Sequence, residues 1–375
     1  MKVLYILHTI KTHGSNISFQ KMIDGLVKDG VTPIIIFPYK KGNHDLIMNF
    51  KTKGFQCYSC PIVQTRSYPQ IKISTYFFYF LLLFPKIISF FFILIIAIKT
   101  KPDIIHTNTG VVHEGYCVSK ILRIPHVWHI REYQTKDFGW DILPSKQFFE
   151  KELFDSYGIF ITKGLQSYFM HDKSKVIYNP IYSIDEINKL NPKKEKYFLI
   201  ANRLSKEKGI EDIIRGFALF CQFNNEFKLY IAGTGEKTYI SDIKQLCEKL
   251  KIVQKVIFLG HIADVRELIM NATILFVGSY YEAFGRMTAE ANILGTFVIG
   301  RNTGGTKEIL ELTKGGVLFD NYKEIPTLIT NYLNTDKRFM EEVHAIAKQN
   351  YSTQNHCQQI MQVYNNIRNL STNTI

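Results

Sequence analysis

The sequence of 375 residues is poor in cysteine, tryptophan and acidic side chains. Its six cysteines are too few and too scattered to form the disulfide framework of a small secreted protein, so a reducing compartment fits them. Cys57 and Cys60 form a C-x-x-C pair, but no second pair or histidine cluster completes a zinc site. The length makes two domains the default, and the 46% hydrophobic content excludes a disordered chain.

Three nucleotide-binding motifs are also missing. No G-x-G-x-x-G follows the first apolar run, which leaves a nicotinamide dehydrogenase with little support. The stretch GTGEKT at 233–238 lacks the glycine spacing of a phosphate-binding loop, which excludes ATP hydrolysis of that kind. No D-x-D occurs, so we expect neither a metal-bridged diphosphate nor a cofactor.

Basic residues outnumber acidic ones by 46 to 33, and the excess is concentrated in the first part of the chain. Residues 1–102 hold 13 Lys and Arg against 3 Asp and Glu, whereas residues 191–375 hold 23 against 19. Such an excess favours an anionic partner. Nucleic acid is the least favoured one, because the basic residues are not interleaved with a recognition motif.

Residues 76–98 form a nearly continuous apolar segment in which Lys86 is the only charge. A helix of this length is long enough to cross a bilayer. Spanning is disfavoured, because apolar runs on both sides of the segment are expected to share one sheet. Pro85 and Lys86 are tolerable in a kinked helix at the membrane interface, where neighbouring lysines would meet anionic headgroups. Interfacial contact is therefore favoured over a buried core helix or a true span. The neighbouring lysines are Lys72, Lys99 and Lys101.

Short apolar runs alternate with segments of helical spacing along the whole chain, which is typical of parallel sheets covered by helices. The runs in the first half lie at 2–7, 33–37, 103–107, 125–130, 158–162 and 175–179. Those in the second half lie at 197–204, 228–233, 255–260, 274–278 and 297–300. We predict two doubly wound α/β domains, 1–180 and 181–355, with 356–375 as a helix that crosses back to the first.

Ligands of such sheets bind at the carboxyl ends of the strands. Arg203, Lys206 and Lys208 follow the first run of the second domain, where three cations suit a diphosphate. Glu282 and Glu290 lie eight residues apart, which in a helix corresponds to a rise of about 12 Å. This is roughly the distance from the sugar to the ribose of a nucleotide-sugar, so each carboxylate could accept hydrogen bonds from one of them.

Five stretches carry a resemblance to a known family. The chain resembles the retaining glycosyltransferases of the GT-B fold, in particular family 4, which builds bacterial surface polysaccharides. The matching stretches are 201–217 (ANRLSKEKGIEDIIRGF), 229–236 (LYIAGTGE), 256–261 (VIFLGH), 279–295 (SYYEAFGRMTAEANILG) and 300–310 (GRNTGGTKEIL). The resemblance implies two Rossmann-like domains that face each other across a cleft.

The resemblance also implies roles for individual residues. Arg203 and Lys208 would bind the donor diphosphate and assist its departure. Glu282 would contact hydroxyls of the transferred sugar, and Glu290 would bind the ribose. Gly233 and His261 would frame the nucleobase, with Gly14 near the diphosphate and the backbone of Ala283, Phe284 and Gly285 beside the sugar.

In the first domain, the resemblance implies that His113, with His106 as the alternative, lies close to the sugar. His129, Arg131 and Glu132 would line the acceptor side of the cleft.

The implied reaction is metal-independent glycosyl transfer with retention at the anomeric carbon. The donor would be a UDP-sugar, or a GDP-sugar as the alternative, and the acceptor a lipid-linked saccharide for a capsule, exopolysaccharide or lipopolysaccharide. The protein would be cytoplasmic and associate peripherally with the anionic inner face of the membrane. Two other functions stay open: a nucleotide-sugar epimerase on the same fold, and a basic nucleic-acid-binding protein.

Overall fold

The computed structural model describes residues 1–11, 14–39, 44–67, 75–171, 174–188 and 193–372. The chain divides into two compact units. Unit 1 consists of Met1–Pro180 and Thr353–Ile375, and unit 2 consists of Ile181–Ser352. The chain leaves unit 1 after Pro180 and returns to it at Thr353, beside predicted boundaries at 180/181 and 355/356.

Unit 1 is built on a parallel sheet of seven strands. Its strands are β1 (Lys2–Ile6), β2 (Thr32–Pro38), β3 (Gln56–Cys60), β5 (Ile104–Thr107), β6 (His126–Ile130), β8 (Tyr157–Phe160) and β9 (Ser174–Val176), and β4 (Arg66–Ser67) pairs with β7 (Asp141–Ile142) in a separate antiparallel ribbon. The helices are α1 (Gly14–Lys28), α2 (Asp45–Thr52), α3 (Thr75–Thr100), α4 (Glu114–Leu122), α5 (Thr135–Phe138), α6 (Lys146–Phe154) and α7 (Lys163–Tyr168). The strand order is β3-β2-β1-β5-β6-β8-β9, so the order reverses between β1 and β5.

All six apolar runs predicted in unit 1 are strands of this sheet. They lack alternation because the sheet is covered on both faces: every residue of β5 and β6 is buried. Strand β3 was not predicted. Its sequence QCYSC is polar and half-exposed because it lies at the sheet edge. Cys57 and Cys60 are free thiols on this strand, and burial raises the pKa of each to about 11.

Unit 2 is built on a parallel sheet of six strands in the order β12-β11-β10-β13-β14-β15. The strands are β10 (Tyr197–Ala201), β11 (Lys228–Ala232), β12 (Val256–Gly260), β13 (Ile274–Val277), β14 (Phe297–Arg301) and β15 (Gly316–Phe319). The helices are α8 (Ile184–Asn188), α9 (Ile210–Phe220), α10 (Lys237–Lys249), α11 (Arg266–Asn271), α12 (Arg286–Ile293), α13 (Gly304–Thr313), α14 (Ile325–Asn334) and α15 (Phe339–Tyr351). The five predicted runs are strands, and β15 is an edge strand that was missed.

Helix α16 (Thr353–Thr372) belongs to unit 1. Its apolar face packs into the core beneath β1 and α1 through Cys357, Ile360 and Val363. The Tyr364 hydroxyl lies 2.6 Å from Nδ1 of His106 and 3.2 Å from the Tyr5 hydroxyl, so a buried polar contact fixes the register of the helix.

Helix α3 contains the apolar segment and leaves one long face uncovered within unit 1. Phe84 is 73% exposed and Phe80 66%, in a stripe that recurs every three or four residues. The exposed apolar side chains are Phe77, Phe80, Leu81, Phe84, Ile87, Ile88, Phe91, Phe92, Ile95 and Ile98, which we call the α3 stripe. The interpretation of this segment as a fully buried core helix is therefore wrong.

The inner face of α3 holds the single charge of the segment. Lys86 is buried, with its Nζ 3.3 Å from the carboxylate of Glu114 on α4 and 2.5 Å from Oγ1 of Thr65. The sequence suggested that Lys86 would be tolerable at a membrane interface. Instead it is paired inside the protein, because a neighbouring helix supplies a carboxylate.

Candidate functional site

The loops after β10 and β13 in unit 2 meet at two glycines. Gly209 has φ +57°, and a Cβ there would lie 2.2 Å from the carbonyl oxygen of Gly278. A Cβ at Gly278 would in turn lie 2.6 Å from the Gly209 carbonyl oxygen. Only glycine permits this close backbone approach. The consequence is that Lys208 and the Glu282 loop are brought to the same place at the carboxyl edge of the sheet.

Lys208 and Glu282 form the ion pair at the centre of the site. Nζ of Lys208 lies 2.9 Å from Oε1 of Glu282, and the same oxygen accepts a 2.7 Å hydrogen bond from the Ser279 hydroxyl. Both side chains of the ion pair are largely but not fully buried. Such a pair can bind an anionic group through the ammonium and a hydroxyl group through the carboxylate.

The backbone around Glu282 is held by a second close approach. The Gly305 amide donates a 2.8 Å hydrogen bond to the Glu282 carbonyl oxygen, and a Cβ at Gly305 would lie 2.0 Å from the Phe284 carbonyl oxygen. Gly285, with φ +83°, precedes the first residue of α12. The segment Ala283–Gly285 therefore leads directly to a helix amino terminus, which favours negative charge.

Glu290 lies on α12 and is buried. Its Oε1 accepts a 2.7 Å hydrogen bond from Nε of Arg286 one turn earlier. The predicted helical rise of about 12 Å between Glu282 and Glu290 is wrong, because α12 begins only at Arg286 and Glu282 precedes it in a loop.

Arg203 is not part of the Lys208–Glu282 pair. Its side chain is 70% exposed and forms an ion pair with Glu207 in the same loop. Lys206 is also exposed, so the three predicted cations differ in environment: Lys208 points inward, and the other two point to solvent.

The loops after β11 and β12 hold the two residues expected at the nucleobase. Gly233 has φ +144° and donates its amide to the Gly260 carbonyl oxygen at 2.7 Å. A Cβ at Gly233 would lie 1.8 Å from the Asn202 carbonyl oxygen, which excludes any other residue. His261 follows Gly260 and is exposed.

Arg301, the last residue of β14, links the loop after β13 to α9 and was not predicted as a site residue. Its Nε donates a 2.8 Å hydrogen bond to the Gly278 carbonyl oxygen, and its guanidinium pairs with Asp212 on α9. The guanidinium also lies 4.4 Å from the centre of the Tyr280 ring. Its position two residues before the Thr-Gly-Gly stretch was the only available signal.

In unit 1, Gly14 is the exposed first residue of α1. Asn16 in the first turn of α1 donates its amide to the carbonyl oxygens of Thr9 and Lys11 at 3.0 and 2.8 Å. His13, which precedes Gly14, lies outside the described residues.

His113 is the residue before α4 and is buried. Its Nδ1 forms a hydrogen bond with a carboxylate oxygen of Glu152 on α6. Nothing in the sequence pattern indicated Glu152, which lies 39 residues away in the last turn of α6.

His106 and His129 lie on neighbouring strands in the interior of unit 1, with ring centres 5.3 Å apart. Burial lowers the pKa of both well below its usual range, and the Arg131 charge lowers it further. Nδ1 of His106 is engaged by Tyr364 of α16, and His129 stacks on His356 of the same helix at 6.1 Å. Both imidazoles thus contact α16.

Arg131 and Glu132 follow β6 and make separate contacts. Arg131 Nε donates to Oδ1 of Asn108 at 2.9 Å, and a terminal nitrogen donates to Asn179. Burial lowers the pKa of Arg131 to about 9. Glu132 accepts hydrogen bonds from the Thr109 hydroxyl and the Gly110 amide, both at 2.7 Å, yet burial raises its pKa to about 7.

Among the residues that the structure describes, no three His, Cys, Asp or Glu side chains are grouped so as to hold a metal ion. The carboxyl edge of unit 2 holds the largely buried Lys208 ammonium, its Glu282 partner and the amino terminus of α12.

Comparison with known proteins shows what unit 2 is similar to. Residues 183–352 match the family Glycosyl transferases group 1. An uncharacterised glycosyltransferase of Methanocaldococcus jannaschii is 32% identical over 245 residues, which are 58% of this chain and 62% of that protein. The alpha-monoglucosyldiacylglycerol synthase of Streptococcus pneumoniae is 27% identical over 299 residues, which are 70% of this chain and 67% of that protein. The chain thus spans less than two thirds of the length of the Methanocaldococcus relative.

The fold of the whole chain also matches known structures. HepE of Anabaena, determined in complex with UDP, aligns with a TM-score of 0.77 over 98% of this chain and 100% of that chain, at 19% identity. The predicted GT-B fold is confirmed by this likeness, and each unit has its own parallel doubly wound sheet.

Proposed function

We propose that this protein is a retaining glycosyltransferase that moves a sugar from a UDP-sugar to a lipid-linked saccharide during synthesis of a cell-surface polysaccharide. The observation that carries the proposal is the Lys208–Glu282 pair beside the amino terminus of α12. A cation and a helix amino terminus suit a diphosphate, and a carboxylate suits the hydroxyls of a sugar.

The donor is proposed from the same site. Lys208 and the first amides of α12 would stabilise the negative charge that develops on the leaving diphosphate, and such stabilisation is usually the largest single contribution to catalysis. Arg203 is exposed and can turn from Glu207 toward the diphosphate, because a surface pair holds it only weakly. UDP is favoured over GDP because HepE was determined with UDP and with UDP and glucose.

Retention is proposed to follow from attack on the face that the diphosphate leaves. The bond between the anomeric carbon and the phosphate oxygen breaks, the acceptor oxygen bonds to that carbon, and a phosphate oxygen takes the hydroxyl proton. This route needs neither a protein nucleophile nor a metal ion. Cationic side chains and the helix amino terminus would supply the compensating charge.

The lipid-linked acceptor and the membrane location are supported by the α3 stripe. An exposed apolar face of this size marks an interaction surface. Exposed Lys99 and Lys101 at the end of α3 would meet anionic headgroups of the inner leaflet, while Lys86 is already neutralised by Glu114. Lys72 lies outside the described residues. The Streptococcus relative, named for a glucosylated diacylglycerol, also favours a lipid acceptor.

The activity is tested by incubating the purified protein with UDP- and GDP-sugars and a membrane lipid extract. We expect a lipid-soluble glycosylated product that depends on the donor, with retained anomeric configuration by NMR. Absence of product with every donor, or a product unaffected by Lys208→Ala and Glu282→Ala, would contradict the proposal. Conversion of a UDP-sugar to its epimer without an acceptor would support the epimerase alternative.

A further inference from the structure

His113 has one engaged and one unengaged ring nitrogen. Nδ1 is bonded to Glu152, whereas Nε2 is buried and has no hydrogen-bond partner within the described part of the chain. His113 is 5% exposed and Glu152 8%. A buried polar atom of this kind normally has a partner, so a water or a ligand is expected to supply it.

The orientation of the imidazole is fixed by what surrounds it. The His113 ring centre lies 5.6 Å from that of Trp128 on β6 and 5.2 Å from that of Phe149 on α6. Phe149 and Glu152 are one turn apart, so a single helix supplies both an aromatic wall and the hydrogen-bond acceptor.

The carboxylate also fixes the position of the proton on the ring. An ionised Glu152 only accepts hydrogen bonds, so Nδ1 of His113 must be the donor. In a neutral imidazole the other nitrogen, Nε2, is then the acceptor. His113 directly precedes α4, after the loop that leaves the carboxyl end of β5, where ligands of doubly wound sheets bind.

We propose that Glu152 is a positioning residue, which holds His113 in one orientation and one tautomer so that Nε2 accepts a hydrogen bond from a substrate hydroxyl. The substrate part of this inference rests on the function proposed above. A substrate whose hydroxyl at this position is absent would leave Nε2 without a partner.

The tautomer can be measured without any reaction. In protein labelled with ¹⁵N-histidine, the His113 signal is expected to show the proton on Nδ1, and Glu152→Ala is expected to abolish that preference. Glu152→Gln should keep it, because the amide oxygen still accepts the Nδ1 proton. A wild-type His113 with its proton on Nε2 would overturn the proposal, whether or not transfer is detected.

The kinetic test uses the donor that the wild type accepts. We expect Glu152→Ala to lower kcat at least tenfold with the donor KM and UDP affinity within about twofold, and Glu152→Gln to retain most of the rate. Glu150→Ala is the matched control, since Glu150 lies on the same helix but pairs with Lys146 at 2.9 Å. Should the alanine variant fail to fold, Glu152→Met against Glu152→Gln gives the same comparison at similar side-chain length.

A double-mutant cycle separates positioning from general support of the fold. If Glu152 acts through His113, adding Glu152→Ala to His113→Ala leaves kcat unchanged within about twofold. An equal loss in both backgrounds would overturn the proposal, as would full activity of the single variant. Failure of the wild type to transfer any sugar would contradict the proposed function instead, and the tautomer measurement would still decide the role of Glu152.

Discussion

Lys208 and Glu282 are 74 residues apart in the chain, yet their side chains form a 2.9 Å ion pair between two loops of unit 2. The pair joins the loop after β10 to the loop after β13. Without a donor, the cation proposed for the diphosphate and the carboxylate proposed for the sugar neutralise each other. A donor must therefore separate or rearrange this pair when it binds.

Replacing Lys208 by alanine is expected to weaken UDP binding by about 10- to 100-fold, because a hydrogen bond to a charged group contributes roughly 1.5–3 kcal/mol. The measurement is isothermal titration calorimetry with UDP. Lys206→Ala in the same turn is the control, since Lys206 is exposed. Equal losses in the two variants would mean that only the overall charge of the loop matters.

Glu282→Gln is expected to separate binding from turnover. Removing the carboxylate charge frees Lys208, so UDP should bind as well as or better than in the wild type. The transfer rate should fall at least about tenfold, because a charged acceptor for the sugar hydroxyls is lost. Calorimetry and steady-state kinetics together check this, and weaker UDP binding by the variant would contradict it.

Gly209→Ala is expected to damage both stability and donor binding. The new Cβ would lie 2.2 Å from the Gly278 carbonyl oxygen, so the loops after β10 and β13 would have to move apart. Gly260→Ala is the matched control: Gly260 also has positive φ, +70°, but a Cβ there meets nothing within 4 Å. In Gly260→Ala we expect backbone strain alone to lower the free energy of unfolding by about 1–2 kcal/mol. In Gly209→Ala we expect a larger loss of stability and also weaker UDP binding. Urea unfolding and calorimetry measure the two effects.

His356 is expected to make unit 1 sensitive to acid. Burial lowers the pKa of His356 from its usual 6.5 to about 3. The unfolded chain therefore binds a proton at His356 at a higher pH than the folded protein does. The free energy of unfolding decreases as the pH falls from about 6.5 through 3, by at most about 1.4 kcal/mol per pH unit. His356→Asn keeps a donor for the Tyr178 carbonyl oxygen but does not titrate.

The comparison of the His356→Asn variant with the wild type isolates this residue. Glu132 affects stability in the opposite direction, because its pKa is raised to about 7. Its contribution to stability is fully present below about pH 4.5 and is lost as the pH rises through 7. Urea unfolding between pH 4 and 7 should give a smaller loss of stability in acid for the variant than for the wild type. Identical profiles would show that His356 does not titrate in this way.

Phe84→Glu is expected to abolish binding to anionic liposomes without unfolding the protein. Phe84 is 73% exposed, so the substitution disturbs no core, but it places a charge in the α3 stripe. Flotation with phosphatidylglycerol vesicles measures binding, and circular dichroism checks the fold. Phe223→Glu is the control, because Phe223 is 64% exposed in unit 2. Wild-type protein that stays in the soluble fraction would contradict membrane contact.

Much of the fold could be predicted because buried parallel strands have a strong sequence signal. The runs at β1, β2, β10 and β13 are apolar and bounded by polar loops. Edge strands such as β3 escape this signal, since one side has no strand to pair with and polar residues are tolerated there.

Site residues could be predicted where they follow the carboxyl ends of strands, and not where they lie on other elements that pack nearby. Lys208 and Glu282 follow strands that adjoin in the sheet, so topology brings them together. Glu152 in unit 1 and Arg301 in unit 2 contact His113 and Gly278, respectively, through packing that no local pattern encodes. For the same reason, the sequence did not indicate that Glu114 pairs with Lys86, the one charge in an otherwise apolar segment.

Unit 2 is inserted into unit 1, and this has a consequence for biosynthesis. As the ribosome works along the chain, Ile181–Ser352 emerges complete before α16 does. Until then, the apolar surface of unit 1 that Ile360 and Val363 later cover is exposed to solvent or bound by a chaperone. A nascent chain halted before Thr353 would carry a finished second domain beside an unfinished first one, so the domain that is begun first is completed last.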